Sequence, residues 1–342
     1  MDVPKKIRVG ISVGDTNGIG IEIILKTFAD KRMFDFCTPV IYASNKTITT
    51  HKSFIKSTIA IQRIHSIDKI IHGKLNLIQA WNEDNPIEIG KATKQGGHFA
   101  FVSLEKAVLD LKQEKIDVLV TAPINKQTIQ SDAFNFPGHT EYLESKLEGN
   151  ALMILMSGSL KVALLTGHIP IHKVSETITP ELIHKKINLL YHTLREDFSI
   201  NKPKIAVLSI NPHAGDHGLI GEEDETIMKP SIERLQKEGK LVYGPYAADS
   251  FFGSNTYLGF DAVMAAYHDQ GLTAFKTLAF GKGVNYTAGL DSIRTSPDHG
   301  TAFDIAGKNI ADPSSFKEAV FTAISIYKTR LQNKELKAHA LS

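Results

Sequence analysis

Short apolar runs alternate with helical patterns along this chain, and that alternation limits the possible folds more than any other feature. The run from Ile7 to Val13 has the β-branched composition of a strand, and a glycine turn joins it to a helical pattern at 21–28. A clear helical pattern covers 95–113, and a short apolar strand pattern follows at 116–121. Strands that alternate with helices predict an α/β fold.

The middle of the chain adds an antiparallel element to this prediction. Two strand patterns, 152–156 and 162–166, flank Gly158-Ser159, which is a hairpin signature. The sheet is therefore predicted to be mixed rather than purely parallel. Further helices are predicted at 45–62, from Thr179-Pro180 onward, at 222–238, and after Asp312-Pro313.

Charge and cysteine content exclude several classes of protein. The 342 residues carry a formal net charge of +2 with lysines and acids intermixed, so no basic block indicates nucleic-acid binding. The single cysteine, Cys37, rules out an internal disulfide framework and fits a reducing compartment. The amino terminus lacks the pattern of a signal peptide, and no apolar run reaches the ~18 residues that cross a membrane. We expect a soluble cytoplasmic protein.

Three histidines follow three predicted strands at similar positions. His168 comes after the strand pattern at 162–166, His213 after 205–210, and His268 directly after 262–267. In an open α/β sheet, ligands bind outside the carboxyl ends of the strands. If the three strands are parallel neighbours, the imidazoles converge and offer a divalent metal three ligands with an open fourth position. The alternative is that each histidine is an ordinary structural or surface residue, which the shared context makes less favoured.

The segment 261–307 is predicted to form one wall of an active site. It is rich in glycine and polar residues after a short strand, which is typical of functional loops held by a scaffold. Its cationic and amide side chains suit a small anionic substrate, as do a histidine and a threonine after the turn at 136–138. Each of these side chains is otherwise an ordinary solvated loop residue; they are Lys276, Asn285, Arg294, His139 and Thr140.

The glycine turn at 14–20 does not have the spacing of a dinucleotide fingerprint. Its spacing favours a tight strand-to-helix turn, with an anion site at the helix N-terminus as the alternative.

Seven motifs match one enzyme family. They are G-D-x-x-G-I-G at 14–20, T-A-P-I-N-K at 121–126, F-P-G-H-T at 136–140, T-G-H-I-P at 166–170, L-S-I-N-P-H-A-G-D-x-G at 208–218, Y-H-D-Q-G at 267–271, and G-V-N-Y-T-x-G-L followed by R-T-S-P-D-H-G-T-A-F-D-I-A-G within 283–307. From about Ile7 to the final helix, the chain closely resembles the 4-hydroxythreonine-4-phosphate dehydrogenases of pyridoxal 5'-phosphate biosynthesis. It is also distantly similar to the isocitrate and isopropylmalate dehydrogenases, whose adenosine-binding loop resembles 299–307.

This resemblance implies a fold and an activity. The fold would have two α/β domains and an interdomain cleft, with 1–138 plus 300–342 as the first domain and 139–299 as the second. The activity would be NAD- or NADP-dependent oxidation and decarboxylation of 4-phosphooxy-L-threonine to 3-amino-2-oxopropyl phosphate. One divalent metal, Zn²⁺, Mg²⁺ or Co²⁺, would bind per site, and the enzyme would be a homodimer with its active site at the subunit interface.

The resemblance also assigns roles to residues of this chain. The metal ligands would be His168, His213 and His268, and the substrate contacts would be His139, Thr140, Lys276, Asn285 and Arg294. The cofactor's adenosine end would lie against His299, Gly300, Thr301, Ala302 and Asp304. Candidates for the general acid and base are Asp249, Asp269 and Lys126, each of which could instead orient a histidine.

Departures from the family pattern leave the substrate open. Thr16, Ile21 and Asp291 stand where the family usually has proline, which affects turn rigidity and removes no proposed ligand. A paralogous dehydrogenase of 4-phospho-threonate or 4-phospho-erythronate would use the same phosphate contacts. A metallohydrolase and a non-catalytic metal-binding module could also use three histidines, although neither needs the adenosine-type loop.

Overall fold

The computed structural model describes residues 6–82, 86–279 and 281–340. A loop predicted at 82–86 lies largely outside these ranges, because residues 83–85 are not described. The strands are β1 (Ile7–Ser12), β2 (Cys37–Ala43), β3 (Ile61–Ile64), β4 (Leu75–Gln79), β5 (Val118–Thr121), β6 (Gly149–Ser157), β7 (Leu160–Leu164), β8 (Lys204–Leu208), β9 (Leu241–Tyr246), β10 (Ala262–Ala265), β11 (Val284–Leu290) and β12 (Arg294–Pro297). The helices are α1 (Gly20–Ala29), α2 (Met33–Phe36), α3 (Asn45–Phe54), α4 (Lys94–Lys112), α5 (His139–Lys146), α6 (Val174–Thr177), α7 (Pro180–Glu196), α8 (Lys229–Lys237), α9 (Ala248–Gly253), α10 (His268–Leu278) and α11 (Ser314–Ala340).

The chain forms two compact units, each containing α-helices and β-strands. Unit 1 consists of Met1–Gly149 and Leu290–Lys328, and unit 2 consists of Asn150–Gly289 and Thr329–Ser342. The α/β class with a mixed sheet is confirmed. The functional domain boundaries expected after residues 138 and 299 stay a prediction.

Unit 1 is built on parallel strands in the order β3-β4-β2-β1-β5-β12. The central strands β2 and β5 are buried along their whole length, as expected for a parallel sheet covered on both faces. Helix α4 packs on β1, β2 and β5. It begins where the Thr93 hydroxyl accepts a hydrogen bond from the amide of Gly96.

Unit 2 contains strands in the order β11-β6-β7-β10-β8-β9. Strands β6 and β7 form the predicted antiparallel hairpin, whereas β7, β10, β8 and β9 are parallel to one another. Helix α10 packs against β7 and β10 and buries Phe275 in their apolar core. Helix α7 begins as predicted, with Pro180 in its first turn and the Thr179 hydroxyl capping the amide of Leu182.

Two predictions from local sequence were wrong, and a third was correct in position but not in detail. The helix predicted at 45–62 ends at Phe54, and the chain then forms β3 because Ile61–Ile64 pairs with β4. The segment 261–307 is not mainly loop, since it forms β10, α10, β11 and β12, and Tyr286 and Thr295 are fully buried. The helix predicted at 222–238 is divided into a π-helical turn at Asp224–Met228 and α8.

Among the residues described, no helix is both long and apolar enough to cross a lipid bilayer.

Candidate active site

One of the predicted substrate contacts is a buried arginine in unit 1. Arg294 begins β12 next to β5 and is 2% exposed. Its Nε and Nη2 atoms donate to the hydroxyl of Thr121 at 3.1 and 2.6 Å. Burial lowers the pKa of Arg294 to about 9, an effect that the nearby charge of Glu141 opposes. The hydroxyl of Thr121 and the charge of Glu141 offset part of the cost of burying this guanidinium, and a guanidinium in such a position also suits an anionic ligand.

His139 is a second predicted substrate contact in unit 1, and it lies near enough to Arg294 to be affected by its positive charge. It is the first residue of α5, and its Nε2 atom is buried with no hydrogen-bond partner among the described residues. Burial lowers the pKa of His139 well below its ordinary value, and the positive charges of Arg294 and Lys126 lower it further. The imidazole is therefore neutral at pH 7, with a buried nitrogen available to a ligand.

The fold brings Lys126 and Thr140 to the same part of unit 1. Thr140 follows His139 in the first turn of α5, where backbone amides point out of the helix. A Cβ atom on Gly138 would lie 3.5 Å from Glu141 Oε2 and 3.8 Å from Lys126 Cε. Two charged side chains therefore lie next to Gly138. The structure thus gathers three of the predicted residues, His139, Lys126 and Arg294, around α5.

The glycine turn at 14–20 is structural, and its amides are used within the protein. The amide of Asp15 donates to Pro123 O at 2.9 Å, and the amide of Asn17 donates to Asp15 Oδ1 at 3.0 Å. A Cβ atom on Gly14, whose φ is +68°, would lie 2.1 Å from the same Pro123 oxygen, so only glycine allows this close approach. The interpretation of this segment as a tight turn is confirmed. An anion bound here would have to compete for backbone amides that already donate hydrogen bonds within the protein.

The predicted adenosine loop lies against this turn. Ile19 N donates to Thr301 O at 3.0 Å, and a Cβ atom on Gly18 would lie 2.8 Å from that oxygen. His299 has a buried Nε2 atom without a partner among the described residues, while its Nδ1 lies 3.0 Å from Gly300 O. Ala302 has a φ of +42°, and Asp304 is exposed. With Nδ1 donating to Gly300 O, the buried Nε2 is an acceptor that suits a donor such as the exocyclic amino group of adenine, so these residues fit a nucleotide cofactor.

In unit 2, the three strands that precede the histidines are parallel neighbours in the order β7-β10-β8. The condition on which the sequence argument depended is therefore met. The rings of His168 and His268 have centroids 5.2 Å apart. His268 Nδ1 lies 2.6 Å from Asp269 Oδ1, and a carboxylate on one imidazole nitrogen leaves the other to a metal. The two imidazoles are of the kind that divalent cations accept as ligands, and they supply two of the three predicted ligands.

His213 is held differently. It begins a run of five residues, 213–217, in which every φ lies between +43° and +79°. Four of these residues are not glycine, and consecutive left-handed residues are strained. Within the described ranges, no three His, Cys, Asp or Glu side chains are grouped so that they could hold a metal. The structure brings together His168 and His268, and the third ligand stays a prediction.

The other candidates in unit 2 surround α9 and α10. Asp249 and Asp269 both line an open groove of about 590 Å³ between these helices. Lys276 is exposed on α10, and Asn285 on β11 has a buried Oδ1 atom without a hydrogen-bond partner in the described part of the chain. An orphaned buried acceptor is unusual in a folded protein, so Asn285 is suited to a ligand's donor group.

The residues that hold these groups were not singled out from sequence. The hydroxyl of Thr121 accepts hydrogen bonds from the guanidinium of Arg294. The carboxylate of Asp224 accepts from the amides of Ile210 and Asn211 at 2.8 and 2.9 Å, just before the left-handed residues 213–217. Thr121 lies inside a matched motif, which marked it only as part of a pattern. Asp224 gave no signal in the sequence.

Comparison with known proteins agrees with this architecture. The family model described as "Pyridoxal phosphate biosynthetic protein PdxA" matches residues 35–323. A 4-hydroxythreonine-4-phosphate dehydrogenase of Bacteroides thetaiotaomicron is 46% identical over 98% of this chain and 93% of its own length. A D-threonate 4-phosphate dehydrogenase of Cupriavidus necator is 38% identical over 91% of this chain and 95% of its own.

Solved structures show the same fold. The crystal structure of a 4-hydroxythreonine-4-phosphate dehydrogenase from Klebsiella pneumoniae superposes with a TM-score of 0.79 at 30% identity, covering 96% of this chain and 99% of that one. Isocitrate dehydrogenase from Methylococcus capsulatus has a TM-score of 0.50 at 12% identity, covering 97% and 89%. The fold is thus of the class found in isocitrate dehydrogenase, as the sequence predicted. The chain belongs to the PdxA family of pyridoxal phosphate biosynthetic proteins.

Proposed function

We propose that this protein is an NAD- or NADP-dependent dehydrogenase that oxidises and decarboxylates 4-phosphooxy-L-threonine to 3-amino-2-oxopropyl phosphate. The reaction would serve pyridoxal 5'-phosphate synthesis in the cytoplasm. The observation that carries the proposal is the buried Arg294 beside the unpaired His139 nitrogen, in a chain of this family. A buried cation and a neutral imidazole suit a phosphorylated substrate better than an uncharged one.

The substrate is held by groups of matching chemistry. The guanidinium of Arg294 offers paired donors to phosphate oxygens, and His139 offers a nitrogen that burial keeps neutral. Asn285 Oδ1 is an acceptor that suits an ammonium or hydroxyl of the substrate. Thr140 and Lys276 complete the proposed contacts.

The metal is proposed to bind at His168, His213 and His268. When bound, a divalent cation such as Zn²⁺, Mg²⁺ or Co²⁺ would supply Lewis-acid chemistry at a substrate oxygen. Asp269 holds His268 through Nδ1, which restrains the ring and leaves its Nε2 atom for the metal. The chain's own candidates for moving the hydroxyl proton are Asp249, Asp269 and Lys126.

The cofactor is proposed to lie against the loop at 299–304, with its adenosine near His299. The hydrogen bond from Ile19 N to Thr301 O holds the base of this loop, and the unpaired Nε2 of His299 offers one hydrogen bond. NAD and NADP both satisfy these contacts. A homodimer with its active site at the subunit interface is part of the proposal, and the mass in solution measured by light scattering would test it.

A second candidate substrate is D-threonate 4-phosphate, because the Cupriavidus necator relative carries that name. It would present the same phosphate to Arg294 and differ at the position of the amino group. The protein side chains that contact this position of the substrate therefore decide between the two acids.

Steady-state kinetics with both acids test the proposal. Purified protein, NAD or NADP and a divalent metal should produce reduced nicotinamide, followed by its near-ultraviolet absorbance, and chelation should abolish the signal. We expect the higher kcat/KM with 4-phosphooxy-L-threonine. His168→Ala should lose turnover and metal retention together, and full activity in that variant would overturn the metal assignment. Turnover of neither acid with either cofactor would overturn the proposed function.

A further inference from the structure

The side chain of Gln270 joins two strand ends in unit 2. Its Oε1 atom accepts a hydrogen bond from the amide of Ala266 at 2.8 Å, and its Nε2 atom donates to Ser209 O at 2.7 Å. Ala266 directly follows β10, and Ser209 directly follows β8. The ladder between these strands ends at Met264 and Val207, so the amide group bridges the gap just beyond it.

This bridge lies immediately before two of the proposed metal ligands. From Ala266 the chain reaches His268 in two residues, and from Ser209 it reaches His213 in four. On the other side of Ala266, Thr166 donates from its hydroxyl to Ala266 O at 2.8 Å. Thr166 itself precedes His168 by two residues. Side-chain hydrogen bonds thus connect the three backbone segments that present the histidines.

A glycine makes this bridge possible. A Cβ atom on Gly271 would lie 2.9 Å from Ala265 Cβ and 3.0 Å from Leu164 Cδ2. Only glycine at this position therefore allows α10 to lie so close to β7 and β10. This approach places the first turn of α10 over the strand ends, where the short side chain of Gln270 can reach both backbone partners.

We propose that Gln270 is a positioning residue, which sets the spacing between the segment that presents His268 and the segment that presents His213 for a divalent metal. The inference rests on the metal site of the proposed function. The orientation of the Gln270 side-chain amide is fixed, because the backbone amide of Ala266 can only donate and Ser209 O can only accept. Glutamate at this position would place a carboxylate oxygen against Ser209 O, and leucine would remove both bonds.

Metal affinity tests this role without relying on turnover. Wild-type protein, Gln270→Leu and Gln270→Glu are titrated with Co²⁺, whose visible absorption reports ligand number and geometry. Loss of an outer contact to a metal site weakens metal binding about 10- to 100-fold. We expect both variants to lose affinity in this range and to show a changed Co²⁺ spectrum, with kcat reduced more than the KM of the phosphorylated substrate is raised.

The chain offers a matched control in the same unit. Gln236 also donates through Nε2 to a backbone carbonyl, Val242 O, at 2.7 Å, but it has no link to a histidine segment. Gln236→Leu should keep wild-type Co²⁺ affinity and spectrum. Circular dichroism verifies that each variant is folded, and Gln270→Glu keeps the size of the side chain should Gln270→Leu fail to fold.

The outcomes separate this proposal from the proposed function. Wild-type affinity and spectrum in folded Gln270→Leu or Gln270→Glu would overturn the positioning role while leaving the metal site intact. An equal loss in Gln236→Leu would also overturn it, since the effect would then be one of general stability. A wild-type protein that binds no Co²⁺ would refute the metal site itself and the positioning role with it.

Discussion

The buried histidine beneath the glycine turn gives a quantitative prediction about stability and pH. His51 on α3 is 2% exposed, and its Nε2 atom donates to Thr16 O at 2.8 Å. Burial is the largest cause that lowers its pKa, from 6.5 to about 4. The folded protein therefore binds this proton less readily than the unfolded chain does.

The sign of the effect follows from proton linkage. Above pH 7 His51 is neutral in both states and contributes no pH dependence. As the pH falls from 6.5 toward 4, the unfolded chain takes up the proton first, so the folded state loses stability. The two pKa values give a loss of about 2 kcal/mol at pH 5 and about 3 kcal/mol at pH 4.

His51→Gln isolates this contribution, because glutamine can donate to Thr16 O but does not titrate. Urea unfolding followed by the fluorescence of Trp81 reports on unit 1, since Trp81 is the only tryptophan and is 7% exposed. Relative to wild type, the variant should gain about 2 kcal/mol in unfolding free energy between pH 7 and pH 5. His65→Gln, at an exposed position, should show no such gain. Unfolding free energies of wild type and His51→Gln that stay parallel across this range would refute the reasoning.

Three further perturbations test other parts of the structure. Arg294→Lys keeps the charge but loses the forked donors, so KM for the phosphorylated substrate should rise about 10- to 100-fold in steady-state kinetics; an unchanged KM would count against the phosphate assignment. Tyr286→Phe removes a buried hydroxyl that donates to Asp197 at 2.5 Å, and the free energy of unfolding, measured by circular dichroism in urea, should fall by about 1–3 kcal/mol; wild-type stability would contradict this. Asp224→Asn replaces one of two acceptor oxygens with a donor, so the amides of 210–211 should exchange hydrogen at least about tenfold faster by mass spectrometry; unchanged exchange would show that the turn is held by other contacts.

The histidine-bearing strands show what local sequence could and could not predict. Apolar runs followed by histidine were visible in the sequence, and parallel βα order made convergence plausible. The position of β10 between β7 and β8 was not visible, because strand neighbours in a sheet are chosen by tertiary packing. For the same reason, no local pattern could indicate that Gln270 bridges two strand ends.

Errors arose where tertiary pairing overrides local preference. The chain at 55–60 leaves the helical conformation, with a φ of +52° at Lys56, and the following residues pair with β4 instead of extending α3. The alternative that Arg294 is an ordinary solvated loop residue was wrong, because Arg294 is buried, begins a strand next to β5 and donates to Thr121. The family motif within 283–307 nevertheless marked Arg294 as functional, since a sequence motif does not depend on the secondary structure that its residues adopt.

The order in which unit 1 is synthesised has a consequence for Arg294. Arg294 lies 173 residues after Thr121, its hydrogen-bond partner, and Leu290–Lys328 supplies the last part of the unit. During translation, β5 and α5 leave the ribosome long before β12 exists, so an edge of β5 and the buried face around His139 stay open to water. A nascent chain that stops before residue 290 would therefore expose a strand edge that a chaperone could bind. The proposed phosphate contact at Arg294 can therefore form only near the end of the protein's synthesis.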